Sequence, residues 1–281
     1  MLFRSVVDPD IRAAERLAGR VGRPCAAHAS LTEALRLERA GAVHVCTPAP
    51  THPGLIRQAL EAGLHVLAEK PLAADLPTTR ELLRVARDAG RLLCPVHQFL
   101  FQAGVLEVVA ELSPPEAILH VDMEAVSAGA AGSGPARAEE VMRDILPHPL
   151  SLFRRLMGSA FAGVSWQVAS TGPGELRAFG TCGAASLGML ISMSGRPTRN
   201  TLRIVSTGGT FHVDLFHGFV TREGPAVSRG RKISRPFGVA GATALAAGVN
   251  LVKRDFNKHI KEDLDHLMTS EIEIDSQSAA E

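Results

Sequence analysis

The sequence predicts an α/β chain in which a doubly wound parallel sheet is followed by an α+β domain built on a mainly antiparallel sheet. Three observations lead there. Over the first hundred residues, short apolar strands alternate with longer helical patterns, the rhythm of parallel βαβ units. Beyond residue 160 the apolar runs alternate residue by residue and are separated by glycine-bearing turns, the rhythm of hairpins. The 281 residues, 46% hydrophobic and 21% charged, hold enough apolar material for two modest domains.

The elements follow in order. Leu2–Val7 is an apolar strand, and Ile11, Ala14, Leu17 and Val21 recur at helical spacing behind Asp8, which can cap that helix with Pro9 at its first position. Ser30-x-x-Glu33 is a capping box for a helix over residues 31–39. Val43–Cys46 is the next strand; a helical pattern from Thr51 to Ala62 stops at Gly63, and His65–Ala68 follows as a strand. Asp75 opens a helix that runs to Gly90, and Leu92–Val96 completes the set. In such sheets the ligand crevice lies beyond the carboxyl ends of the strands. The residues there are Asp8, Thr47-Pro48, Glu69-Lys70-Pro71 and His97-Gln98.

Lysine usage singles out one of them. Of 30 basic residues only five are lysine, and Lys70 is the sole one in the first 231 residues. Lysine is a compact charge whose proton affinity responds to burial, so a lone lysine in an arginine-rich segment marks a place where arginine would not serve, unless codon bias alone thinned the rest.

Cys46-Thr47-Pro48-Ala49-Pro50-Thr51-His52, followed by Ala59 to Leu72 with Glu69-Lys70-Pro71 at a strand end, resembles the glucose-fructose oxidoreductase and inositol dehydrogenase family, Gfo/Idh/MocA. Arg143-Asp144-Ile145-Leu146-Pro147-His148, leading to Leu156-Met157-Gly158, is similar to that family's D-x-x-x-H segment, and the resemblance covers residues 2–158. It implies a Rossmann-like first domain over residues 1–98 and an α+β substrate and dimerisation domain over residues 99–281. The family begins with a strand and a G-x-G-x-x-G turn that holds the cofactor pyrophosphate at a helix N-terminus. This sequence starts at the counterpart of the second strand, so the resemblance implies an incomplete sheet, with a fragment or a misplaced start codon as the reading of Met1. Ala49 and Leu100 also depart from the residues usual at their positions, and Pro147 and Pro149 disfavour a continuous helix through Asp144.

The implied chemistry is hydride transfer between NAD or NADP and a secondary alcohol of a sugar, cyclitol or related polyol. Removing the hydroxyl proton needs a base and a nearby cation for the developing alkoxide. His148 and Lys70 suit those tasks, with Asp144 holding the imidazole or the substrate hydroxyl; at four residues' separation Asp144 and His148 would share one helix face. Asp8, Thr47, Pro48, His52, Glu69, Lys70, Pro71 and Gln98 are the expected cofactor-side residues, and Lys70-Pro71 is expected to be a cis bond. Asp8 is placed to bond the adenine ribose and favours NAD, and it is equally a competent helix cap. His148 has a second reading as a hydrogen-bonded histidine at a helix start. His52 reads as a first-turn helix residue beside the crevice, and Asp144 as a solvated partner of an arginine. Cofactor binding by the 281 residues alone is expected to be weak, and the rival reading is a catalytically silent dimeric binding or scaffold protein.

In the second half, Ala117–Val126 reads as a strand and residues 127–135 as a Gly/Ala/Ser loop that is a candidate lid. Six strands are expected between residues 163 and 221, with a hairpin at Gly208-Gly209, then an Arg/Gly/Pro-rich loop over 222–236, helices over 242–252 and 256–267, and a frayed end. Thirty basic against 29 acidic residues give a formal charge of +1, which argues against nucleic-acid or membrane partners and for small molecules or further copies of the chain, as a dimer or tetramer. Four cysteines without a C-x-x-C pair, placed in apolar runs where thiols are usually buried, fit a reducing cytoplasm. There is no H-E-x-x-H metal motif and no G-x-S-x-G elbow.

Overall fold

The computed structural model describes residues 4–21, 24–112, 118–128, 132–225 and 228–253. The helix expected over 256–267, the frayed end and the centre of the candidate lid fall outside these residues. The described chain forms two compact units, Met1–Val96 and His97–Glu281.

The first unit alternates strand and helix. Strand β1 (Ser5–Val7) leads to helix α1 (Ile11–Ala18), β2 (Ala26–His28) to α2 (Leu31–Leu37), and β3 (Ala42–Val45) to α3 (His52–Glu61) through a 3-10 turn at Ala49–Thr51. Then β4 (His65–Glu69), α4 (Leu76–Asp88) and β5 (Leu93–Val96) follow. Every pairing is parallel, but the strands form two sheets, β1-β2 and β3-β4-β5. Among the described residues β1 pairs only with β2, and β3 only with β4.

Local chemistry explains the element ends. Ser30 Oγ accepts from Glu33 N–H at 3.2 Å, and Glu33 Oε2 accepts from Ala29 N–H at 3.1 Å, so the capping box reaches one residue further back than its usual form. Asp75 caps α4 through Thr78 N–H at 2.8 Å. At α1 the expected cap is corrected: Asp10, not Asp8, is the N-cap, because the chain turns once more after Pro9 before Arg12 N–H reaches a carboxylate. Asp8 instead closes that turn, accepting from Asp10 N–H at 2.8 Å. Strand β2 has no counterpart in the sequence reading, since Ala-Ala-His carries neither a β-branched residue nor alternation. Ile56, Leu60, Val66, Ala68 and Leu82 form the core where α3 and α4 cover the sheet.

The second unit begins with a 3-10 turn at Gln98–Phe101 and helix α5 (Ala103–Glu111), neither of which the sequence reading contained. Strand β6 (Ile118–Val126) precedes helices α6 (Pro135–Ile145) and α7 (Pro147–Met157). Strands β7 (Ser165–Gly172), β8 (Glu175–Cys182), β9 (Ala185–Ser192), β10 (Arg199–Ser206), β11 (Gly209–Asp214) and β12 (Phe219–Glu223) complete a seven-stranded sheet in the order β12-β11-β10-β6-β9-β8-β7. All neighbours are antiparallel except β6 and β9. Helix α8 (Arg229–Lys253) starts inside the stretch expected to be a loop and contains Pro236. Arginine and lysine are good helix formers, and one proline removes only one ladder donor, so the helix runs through it.

Alternation gives this sheet two unlike faces. Val121, Met123, Leu187, Met189 and Ile204 pack with Val105 and Val108 of α5 and with Leu152, Phe153 and Leu156 of α7. The opposite face carries a row in register across five strands, Phe179, Gly188, Asp122, Arg203 and His212, of which the last three are polar. There His120 lies between Ser186 Oγ and Asp122 Oδ2. A side chain at Gly188 would collide with Asp122 Oδ1, so this glycine makes room for the carboxylate. Among the described residues no helix is long and apolar enough to cross a membrane.

The buried face sets the stability of the second unit. Leu187→Ala, at a position with 0% exposure, is expected to cost about 2–5 kcal/mol in urea unfolding, whereas Leu119→Ala, 45% exposed, is expected to shift it by less than about 1 kcal/mol.

Candidate active site at the strand ends

The carboxyl ends of β3 and β4 are built by one imidazole. The last hydrogen-bonded pair between these strands is Val45 and Ala68, and beyond it the chains continue as Cys46-Thr47-Pro48 and Glu69-Lys70-Pro71. His52, first residue of α3 and only 1% exposed, turns back between them. Its Nε2 lies 2.7 Å from the Thr47 carbonyl oxygen and its Nδ1 2.8 Å from the Pro71 carbonyl oxygen. Thr51 Oγ1 lies 2.6 Å from Thr47 Oγ1 and donates to the Pro48 carbonyl at 2.8 Å, which tightens the 3-10 turn that delivers the histidine. Thr47, Pro48, His52 and Pro71 are thus brought together, and the Lys70-Pro71 peptide is cis. His52 is the first-turn helix residue that the sequence suggests, and it is interior, with both of its ring nitrogens engaged by backbone.

Two residues beside this turn are not among the site residues that the sequence suggests. His44 and Cys46 are two apart on β3 and share a face. His44 Nε2 is 3.9 Å from Glu69 Oε1, yet burial outweighs that carboxylate and lowers the proton affinity of the imidazole. The Cys46 thiol is pushed up to about 11 by burial, with the Glu69 charge adding to it, although the residue as a whole retains exposed surface. Burial of free thiols, expected for most cysteines, holds only for Cys182; Cys46 is exposed, and Cys25 and Cys94 are half-buried. Strand ends leave even apolar-run cysteines at the rim.

Asp8 is half-buried at the carboxyl end of β1, in the other parallel sheet. The remaining candidates belong to the second unit. Gln98 is exposed in the 3-10 turn, and the next residue, Phe99, meets the ring of His148 with centroids 4.6 Å apart at 47°. His148 is buried in the first turn of α7, and its carbonyl accepts from Ser151 Oγ at 2.8 Å. Asp144 is exposed near the end of α6. The single helix face that four-residue spacing would give these two is corrected: they stand on separate helices joined at Leu146, because Pro147 and Pro149 cannot donate to the ladder of α6. A groove of about 510 Å³ lies on the polar face of the sheet, lined by Asp122, Arg177, Arg203, His212, Val239 and Thr243, on the side away from α7. Among the described residues no group of three or more His, Cys, Asp or Glu side chains could hold a metal ion.

With its thiol at about 11, Cys46 is expected to alkylate slowly with iodoacetamide at pH 8, and faster at each step toward pH 11 as the thiolate forms. Peptide mapping across that range measures it, and a rate that levels off below pH 9 would contradict the shift.

Residues 3–97 match the family described as an oxidoreductase family with an NAD-binding Rossmann fold, GFO_IDH_MocA. Biliverdin reductase A of Mus musculus is 40% identical over 68 residues, 24% of this chain and 23% of that protein. Inositol 2-dehydrogenase 4 of Saccharopolyspora erythraea is 34% identical over 92 residues, 33% of this chain and 27% of that one. The matched segment is about a quarter of the length of these relatives. Among solved structures, UDP-N-acetylglucosamine 3-dehydrogenase GnnA from Acidithiobacillus ferrooxidans superposes with a TM-score of 0.68 at 19% identity, covering 80% of this chain and 70% of that one. The WlbA dehydrogenase from Bordetella pertussis, in complex with NADH and UDP-GlcNAcA, gives 0.65 at 18% identity, covering 88% and 75%. Residues 3–97 thus resemble the Gfo/Idh/MocA oxidoreductase family in sequence, and the fold of the two units, parallel strands first and a mainly antiparallel sheet after, is that of the solved dehydrogenases above.

Proposed function

We propose that this chain works in an NAD(P)-dependent oxidoreductase that moves a hydride between a nicotinamide cofactor and a secondary alcohol of a sugar, cyclitol or related polyol. The observation that carries the reading is the Glu69-Lys70-Pro71 turn at the carboxyl end of β4, tied through His52 to the Thr47-Pro48 turn, within a segment that matches an NAD-binding family. Similarity to two relatives supports the substrate class: the dTDP-3,4-didehydro-2,6-dideoxy-alpha-D-glucose 3-reductase of Actinomadura kijaniata, 51% identical over 59 residues, and the inositol dehydrogenase above.

In this reading Glu69, Lys70 and Pro71 line the nicotinamide side, and Thr47, Pro48 and Gln98 are further cofactor-binding residues. A bound nicotinamide supplies the hydride acceptor. The Lys70 ammonium favours the developing alkoxide as a fixed positive charge, His148 takes the hydroxyl proton, and Asp144 orients the imidazole or the substrate hydroxyl. Asp8, half-buried at the end of its strand, suits the adenine ribose and repels a 2′-phosphate, which favours NAD. The pyrophosphate has no glycine turn in these 281 residues, since no G-x-G-x-x-G occurs in them. A catalytically silent dimeric binding or scaffold protein is the alternative. The polar face of the seven-stranded sheet is the surface we assign to a second copy of the chain, in the cytoplasm.

Two measurements test this. NADH fluorescence titration of the 281-residue chain is expected to show weak binding, and the same chain preceded by its upstream in-frame sequence is expected to bind and to reduce NAD with a polyol. In that longer protein Lys70→Ala is expected to lower turnover by about a hundredfold or more with unchanged unfolding. An unchanged rate removes Lys70 from the mechanism. A stop codon directly upstream of Met1 favours the scaffold.

A further inference from the structure

We infer that helix α8 docks on an anionic lipid surface: its outward apolar stripe enters the acyl layer and its cations meet the headgroups, so the chain attaches to a membrane peripherally. The inference goes beyond the oxidoreductase reading and does not depend on it.

Helix α8 packs along one side. Its Val239 and Thr243 line the groove on the polar face of the sheet, and the helix touches β12. At about 3.6 residues per turn, Phe237, Gly241 and Leu245 fall on the opposite side. Phe237 is 78% exposed, Leu245 71%, and Ile233, four residues before Phe237, 74%. Val249, four residues after Leu245, is exposed as well. A surface helix ordinarily turns its apolar stripe toward the core, and α8 carries one away from it. A contiguous apolar surface of this kind marks a place of contact.

Charge selects the partner. Arg229, Arg231, Lys232, Arg235 and Lys253 fall within α8, which holds no aspartate or glutamate, and along the helix they bracket the stripe. The whole-chain charge of +1, which argues against a membrane partner, averages over this segregation. Two α8 helices laid together would set five cations against five. A bilayer with anionic headgroups offers the opposite charge beside hydrocarbon, the pairing an interfacial helix uses. Spacing points the same way. A protein groove reads anchors at i, i+3, i+4 and i+7, whereas Leu245 stands eight residues after Phe237 with Gly241 between them on that side. Fluid acyl chains fill such a gap without a shaped counterpart. Among the described residues no helix is long and apolar enough to cross a membrane, so α8 is assigned to the plane of the surface.

The test is flotation of the intact 281-residue chain with vesicles of phosphatidylcholine alone and of phosphatidylcholine mixed with phosphatidylserine. Binding is expected on the mixed vesicles, about tenfold weaker on phosphatidylcholine alone, and falling as salt is raised. Equal binding to both, or none to either, overturns the inference without any variant. Phe237→Gln combined with Leu245→Gln is expected to lower binding to the mixed vesicles about tenfold or more, with unchanged urea unfolding because both side chains are exposed. Arg231→Gln combined with Lys232→Gln is expected to reduce the preference for phosphatidylserine. A folded Phe237→Gln, Leu245→Gln variant that floats as before overturns the role of the stripe. If that variant also sediments as a smaller species than the unmodified chain, the stripe belongs to a second copy instead. No nucleotide enters these measurements, so a failure of the cofactor reading is separable from a failure of this one.

Discussion

Two carbonyl oxygens just beyond the last rung of a parallel sheet need a partner, and in this chain both lie against one buried imidazole. Neighbouring parallel strands diverge where their ladder stops, and the backbone there must bond to something or stay wet. His52 stands between the extensions of β3 and β4. The constraint also explains a spacing. Five residues from Thr47 to His52 are what the chain uses to pass through Pro48, a 3-10 turn and the first position of α3 before a ring can reach back. What looks in sequence like a scattered T-P-x-x-x-H is one closed hydrogen-bonded loop, and the E-K-P turn is its partner across the sheet.

Much of the first unit was legible because its signals are local. Capping side chains at Ser30 and Asp75, the glycine stop at residue 63 with φ 78°, and apolar runs of strand length all act over a few residues. Strand β2 was not legible, since its place depends on pairing with β1 rather than on its own Ala-Ala-His. The cap of α1 was misplaced by two residues for a similar reason: Asp8 and Asp10 both qualify chemically, and only the path of the turn chooses between them. Of the site, the strand-end positions followed from the βα rhythm. The two-sided engagement of His52 did not, because one of its partners lies 19 residues away.

The second unit reads differently. Its strands were recognisable from alternation, though most extend further than their apolar cores, because the sheet continues to pair through polar residues such as Arg199, Asn200 and Thr201. Helix α5 and the start of α8 were missed, the first because continuous apolar character masks its period and the second because glycine and proline outweighed its arginines. At the α6–α7 junction the prolines do what they do in any helix, and they separate Asp144 from His148 by a helix boundary while leaving His148 packed on Phe99. Aromatic contact of this kind fixes the plane of an imidazole without using either of its nitrogens.

Gly188 sits under the Asp122 carboxylate on the polar side of the seven-stranded sheet, and that carboxylate in turn faces His120. A single added methyl there would push the acid aside and unseat the imidazole and Ser186 with it, while the packed side of the sheet would scarcely register the change. Drift at one position in a family with this architecture can thus rewrite what the surface recognises and leave the hydrophobic interior, and hence the ability to fold, as it was.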